Sequence, residues 1–175
     1  MGSLMFVVIL LIFAICVFLI GSYGYFLYIK YQQRKLWDDL YALLKIKFAL
    51  FIDLIIFVKD TCAEEPEILT TMMGCVKSFI MAKTPSETAA AHLKAQTAIK
   101  GLERLLDKRP LILDSNGYVK IKDEMVKIDE KIGFACQFYN DSAEEYNSKI
   151  SNLPLGIVAG IFNFRVKGYI DIKLQ

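Results

Sequence analysis

Residues 4–20 read LMFVVILLIFAICVFLI, with nothing polar among them but Cys16. No charged side chain occurs anywhere in residues 1–29. A hydrocarbon core about 30 Å thick takes roughly 20 apolar residues at a helical rise of about 1.5 Å each. The stretch therefore predicts a transmembrane helix over residues 4–26, with Leu4 at one end and Phe26 at the other. Gly21, Ser22 and Gly24 weaken its last third, and Tyr23, Tyr25, Tyr28 and Tyr31 fall where amphipathic rings favour a membrane–water interface.

A cleaved signal peptide needs a basic start, a short apolar core and a small-x-small cleavage site. Here no Lys or Arg precedes the core, the core is too long, and bulky Ile15 before Cys16 spoils a lipoprotein signal. The span is expected to be retained. Lys30, Arg34 and Lys35 follow it directly. Basic residues resist translocation, so the expected placement is a membrane with the N-terminus outside and the remaining body cytoplasmic.

All 21 basic and all 19 acidic residues lie beyond residue 29, leaving the body near neutral at +2. Nucleic acid is not an expected partner, because such proteins carry a dense basic face. Cys16, Cys62, Cys75 and Cys136 form no CxxC pair, and one lies in the span. They are expected to be small apolar residues, without disulfides or metal. Only four prolines interrupt the chain, which favours long helices. The predicted organisation is an anchor over 1–29, a helical bundle over 30–152 and an apolar segment with a tail over 153–175.

In the body, Trp37, Tyr41, Leu44, Phe48, Phe51, Ile55 and Val58 recur at alternating intervals of four and three, the spacing of one helical face. This predicts a first helix continuing from the anchor to about Thr61. Asp53 is the single charge between Phe48 and Val58 and is expected to be a satisfied structural residue, hydrogen-bonded across the core or reaching out at its edge. Glu64, Glu65, Pro66 and Glu67 mark a restart, followed by a helix to about Met81 carrying Met72, Cys75, Phe79 and Ile80 inward. Thr84-Pro85-Ser86-Glu87 has the spacing of a capping box, opening a helix to about Lys108. His92, the one histidine, is expected at its surface. Asp114-Ser115-Asn116-Gly117 predicts a loop. A last helix over about 119–152 carries a coiled-coil-like seam of Ile121, Met125, Ile128, Ile132, Ala135, Tyr139, Ser142 and Tyr146. Pro154 ends it, ahead of an apolar run over 155–164.

The stretches KIDEKIGFACQFYNDSAEEYN (residues 127–147) and LPLGIVAGIFNF (153–164) resemble the LemA family of bacterial single-pass membrane proteins. Ile132, Ala135, Tyr139, Asn140, Tyr146, Asn147, Pro154, Val158, Ala159, Gly160, Phe162 and Phe164 match its pattern. Trp37 and residues 50–59 match its first soluble helix more loosely. Cys136 stands where the family has Arg, and Ile52-Asp53 where it has Pro-Asn. The resemblance implies an all-α fold, with an N-terminal transmembrane helix and an antiparallel bundle of about four helices, long first and last. It implies no catalytic activity. Its magnetosome branch, MamQ, is tied to vesicle membrane formation.

An up-down-up-down chain returns the last helix to the membrane. Levelling Tyr31 with Asn152 puts Trp37 near Tyr146, Asp53 near Lys127 and Lys131, and the two Tyr-Asn pairs among interhelical hydrogen bonds. The run over 155–164 then has two readings: an interfacial segment against lipid, or a segment folded back on the bundle. No phosphate loop, metal-ligand pair or nucleophile–base set is present, and no Glu-x-x-His of a two-metal bundle. The expected function is a non-enzymatic membrane scaffold or adaptor without a cofactor. Its expected partners are the bilayer, a membrane or cytoplasmic protein and a second copy; the alternative is membrane remodelling.

Overall fold

The computed structural model describes residues 2–61 and 66–172. Among the described residues the chain is all-α, with six helices and no strand: α1 (Gly2–Thr61), α2 (Pro66–Met81), α3 (Pro85–Leu106), α4 (Pro110–Leu113), α5 (Asn116–Ser151) and α6 (Leu155–Ile161). Glu64 and Glu65, read above as part of a restart, and Cys62, read as a small apolar residue, lie outside the described residues. No proline precedes Pro66, so nothing in the sequence breaks α1; its 60 residues span about 90 Å at helical rise.

The expected capping box opens α3. Thr84 Oγ1 accepts from the Glu87 amide at 3.2 Å, and Glu87 Oε2 accepts from the Thr84 amide at 3.3 Å, with Pro85 in the first turn. The predicted loop at residues 114–117 is shorter than expected. Ser115 Oγ accepts from the Tyr118 amide at 3.4 Å, so Ser115 caps α5, and Asn116 and Gly117 already belong to the helix.

The chain divides into two compact units. The larger comprises Trp37–Tyr139 and the described part of Ile170–Gln175. In it α1 and α5 run antiparallel: Trp37 meets Tyr139 edge-on at 6.1 Å, Lys47 pairs with Asp129, and Phe57 lies 6.3 Å from Tyr118. Phe79 of α2 stacks on Phe48 at 3.8 Å and on Tyr41 at 5.8 Å. At the other end of the α2–α3 hairpin, Ile68 reaches within 3.6 Å of a Cβ position at Gly101. Leu40, Leu44, Lys47, Phe51, Leu54 and Val58 form the buried stripe of α1.

Several expectations change here. The α1–α5 pairing is displaced by one heptad from the expected register, since Trp37 faces Tyr139. Cys136, rather than Ala135, is the buried member of that turn of α5, while Ala135 is half-buried. Ile80 points to the surface instead of inward, because α2 ends one residue later and nothing packs over it. The extended tail returns Ile170 and Ile172 to this unit's core, and the Cys136 thiol donates to the Ile170 carbonyl at 3.2 Å.

The smaller unit comprises the described part of Met1–Leu36, and Asn140–Tyr169. Every residue of α1 from 2 to 18 is exposed, and the helix is long and apolar enough to cross a membrane. Beyond the buried Ser22, an apolar cluster forms from Phe26, Ile29, Tyr146, Val158 and Ala159, joined at its margin by Leu19, Ile150, Leu155 and Phe164. The run over 155–164 thus packs against α1 on one face, while Ile157, Ile161 and Phe162 on another remain exposed.

Candidate functional site

In the larger unit, three ionisable side chains from three helices meet in the core. Lys47 Nζ lies 2.5 Å from Asp129 Oδ1 and 2.9 Å from His92 Nε2; His92 Nε2 is 3.8 Å from the same carboxylate oxygen. Lys47 is 3% exposed, His92 is fully buried, and Asp129 keeps 23% of its surface. Burial lowers the proton affinity of Lys47, partly offset by its hydrogen bond to Asp129. Burial, reinforced by the Lys47 charge, lowers that of His92 against the opposing pull of Asp129. Asp129 is held below the ordinary carboxylate range: burial opposes its ionisation, but the nearby His92 ring and the Lys47 ammonium, which donates to it, outweigh that. The consistent state is an ammonium donating to a carboxylate and to a neutral imidazole. The remaining imidazole proton then sits on Nδ1, which is buried without a hydrogen-bond partner, as is Gln96 Nε2.

A cavity of about 180 Å³ opens beside the pair, with Lys47, Gln96, Lys122 and Asp129 among its walls. Lys122 also pairs with Glu103 of α3. This ion pair is not the one expected from the sequence. Asp53 reaches out to the surface, the second of its two readings, and makes no ion pair with Lys127 or Lys131 among the described residues. The core charge is Lys47, and its partner is Asp129. His92, expected at the surface, is its second neighbour, because the Ala-rich face of α3 lets that helix approach α1 and α5 closely. Among the described residues no group of three His, Cys, Asp or Glu side chains is placed to hold a metal.

The resemblance-bearing residues fall into two groups. Trp37, Ile132 and Tyr139 are packing residues of the larger unit: Trp37 stacks on Tyr41 at 5.8 Å, Ile132 is fully buried, and burial pushes the Tyr139 hydroxyl pKa up. Ala135 is half-buried in the same unit, and Asn140, the first residue of the other unit's second segment, is half-buried too. The rest build a C-terminal elbow in the smaller unit. Tyr146 meets Phe26 edge-on at 6.2 Å, and Phe164 stacks on Phe26 at 4.8 Å. Ala159 is buried in the same cluster, while Pro154 and Gly160 are exposed. Asn147 does not bond across helices as expected. Its amide donates to the Lys167 carbonyl at 2.9 Å and accepts from the Lys167 amide at 2.8 Å, pinning the irregular tail.

The elbow is closed by local backbone chemistry. The Phe164 amide donates to the Ala159 carbonyl at 2.9 Å and the Asn163 amide to Gly160 at 3.3 Å. With Asn163 at φ 54°, this is a Schellman ending, in which Asn is one of the few residues that accept the left-handed position. Gly156 is the glycine the elbow requires: a Cβ there would stand 2.8 Å from the Ile150 carbonyl oxygen. At Gly160 a Cβ would meet open space. Tyr23 lies 4.7 Å from Phe162 and 6.0 Å from Phe164, so the elbow is level with the last turns of the apolar stretch of α1.

Compared with known proteins, residues 36–175 match the LemA family model. No curated protein matches the chain.

Proposed function

We propose that this chain, which belongs to the LemA family, is a non-enzymatic, membrane-anchored helical scaffold that presents its bundle to a protein partner at the bilayer. The observation that carries the reading is α1. One unbroken helix supplies both an apolar stretch exposed on every side and, further along, the buried stripe of a helical bundle. An apolar helix exposed all round suits lipid rather than water. Lys30, Arg34 and Lys35 directly after it favour a cytoplasmic body and an inner-membrane location.

The Lys47–His92–Asp129 cluster fits a structural role: it joins three helices, and its amine is engaged with both the carboxylate and the imidazole. Crosslinking in cells from exposed positions on α2 and α3, read by mass spectrometry, tests the scaffold. A reproducible protein partner supports it; crosslinks confined to lipid and to the chain itself refute it. Recovery of the chain in the alkali-soluble fraction would refute the anchor.

The exposed apolar face of α6 favours one second reading, membrane remodelling by many copies. Vesicles that stay undeformed at high surface density of the purified protein would refute that reading and leave the scaffold standing.

A further inference from the structure

The elbow has two faces. Val158 and Ala159 turn to α1 and are buried. Leu153, Ile157, Ile161 and Phe162 turn away and are exposed, although residues 153–162 carry no charged or hydrogen-bonding side chain. Packing of Tyr23 on Phe162 sets this exposed face beside the end of the apolar stretch of α1, with which it forms one continuous apolar surface. Around it basic residues predominate. This unit contains Lys30, Arg34, Lys35, Lys149, Arg165 and Lys167, against Asp141, Glu144 and Glu145 on the turns of α5 before Tyr146.

We propose that α6 and its flanking turns form a wedge inserted in a single leaflet beside α1, and that the basic residues around it bind anionic lipid headgroups. The proposal rests on the reading of α1 as a membrane span. If about 30 Å of hydrocarbon is crossed between residues 4 and 26, Tyr23 lies within the apolar layer near its edge, and Phe162, packed on it, lies at that depth. The basic side chains then fall at or beyond the headgroup level, where an anionic surface attracts Lys and Arg. A short apolar segment that could not span the bilayer is thereby placed where interfacial segments lie, with its buried face supplied by protein instead of lipid.

The test uses the full chain reconstituted in vesicles of phosphatidylcholine and phosphatidylglycerol, in a Trp37→Phe background so that one introduced tryptophan is read at a time. Phe13→Trp reports on the span and Ile161→Trp on the wedge. Both are expected to be quenched by brominated acyl chains and shielded from aqueous iodide. Bromine carried on phosphatidylglycerol is expected to quench position 161 about two-fold or more above the same mole fraction carried on phosphatidylcholine. Replacing Lys149, Arg165 and Lys167 together by Gln is expected to abolish that preference while position 161 stays shielded from iodide.

Position 13 quenched by lipid with position 161 open to iodide overturns the wedge and leaves the anchor intact. Position 13 open to iodide overturns the anchor, and the wedge with it. Position 161 shielded from both quenchers means a second copy covers α6, which overturns the lipid assignment. Equal quenching by the two brominated lipids overturns the headgroup assignment.

Discussion

Asp129→Ala is the most informative single change in the bundle. Lys47 is 3% exposed and cannot turn to water, whereas Asp129 retains 23% of its surface. The two halves of the pair are therefore unequal. Removing one partner of a buried pair costs about 3–5 kcal/mol because the other charge is stranded. The His92 acceptor left to Lys47 and the partial exposure of Asp129 place this site near the lower end, about 3 kcal/mol, or roughly 6–12 °C in Tm for a chain of this size. Lys47→Met fills the same volume with apolar atoms and strands only a carboxylate that can hydrate, so about 1 kcal/mol is expected. The double variant should be no less stable than Asp129→Ala, since Lys47→Met removes the charge that the first change strands. The assay is thermal unfolding of the full chain in detergent micelles, followed by far-ultraviolet circular dichroism and by Trp37, the single tryptophan, which packs on Tyr139 in the same unit. Lys47→Met as damaging as Asp129→Ala, or a double variant with fully additive losses, would refute the asymmetry and the reading of Lys47 as the buried charge.

Acid should weaken the bundle in two stages. His92, ordinarily at 6.5, and Asp129, ordinarily at 3.8, both have lowered folded-state values, so the unfolded chain takes up protons first; stability present above pH 6.5 falls below it and falls again below 3.8. His92→Gln should remove the first stage from a pH series of melting curves while Lys47, Asp129 and Lys122 keep their places. Gly156→Ala should cost about 1–3 kcal/mol because its Cβ would meet the Ile150 carbonyl at 2.8 Å, whereas Gly160→Ala should be neutral or slightly stabilising; paired melting curves check both. Asn147→Leu removes two hydrogen bonds to the Lys167 backbone and should cost about 1–3 kcal/mol, with faster amide hydrogen exchange at Lys167.

How far the fold can be read from the sequence depends on the kind of interaction. The apolar run of α1, the Thr84–Glu87 cap and the long helices follow from local pattern, and each stands in the structure as read. The pairing partners of polar residues do not follow from pattern. Asn147 bonds the backbone of an irregular tail whose own groups would otherwise lack partners, and nothing in the residue spacing points there. Gly160 carries the family likeness, but the tight approach is at Gly156, visible only once Ile150 is in place. His92 reads as a surface residue by its solitude; its burial follows from small alanines that allow close helix packing. Lys47 carried a usable signal, since it stands at the alternating three-and-four spacing of Leu40, Leu44, Phe51 and Leu54. A charged side chain in that series is masked by the more fully apolar stripe beside it.

The register of α1 against α5 shows why the sequence pattern was insufficient and what supplies the missing information. A seam repeating every seven residues looks the same after a shift of seven, so apolar spacing alone leaves neighbouring registers nearly equivalent. The pairing levelled from the chain ends differs from the observed one by one such step. In that shifted alignment Lys47 would stand opposite Cys136 and Asp129 opposite Leu54, each charge facing an apolar neighbour. Burial of an unpaired ammonium is far more costly than the small packing differences between equivalent heptads. In the observed alignment Lys47 meets Asp129, and the Cys136 thiol instead reaches the Ile170 carbonyl of the returning tail. A buried ion pair contributes little net stability over apolar residues of the same size, but it separates registers that apolar residues cannot distinguish. On this account the charge in the middle of α1 is retained for specificity of alignment.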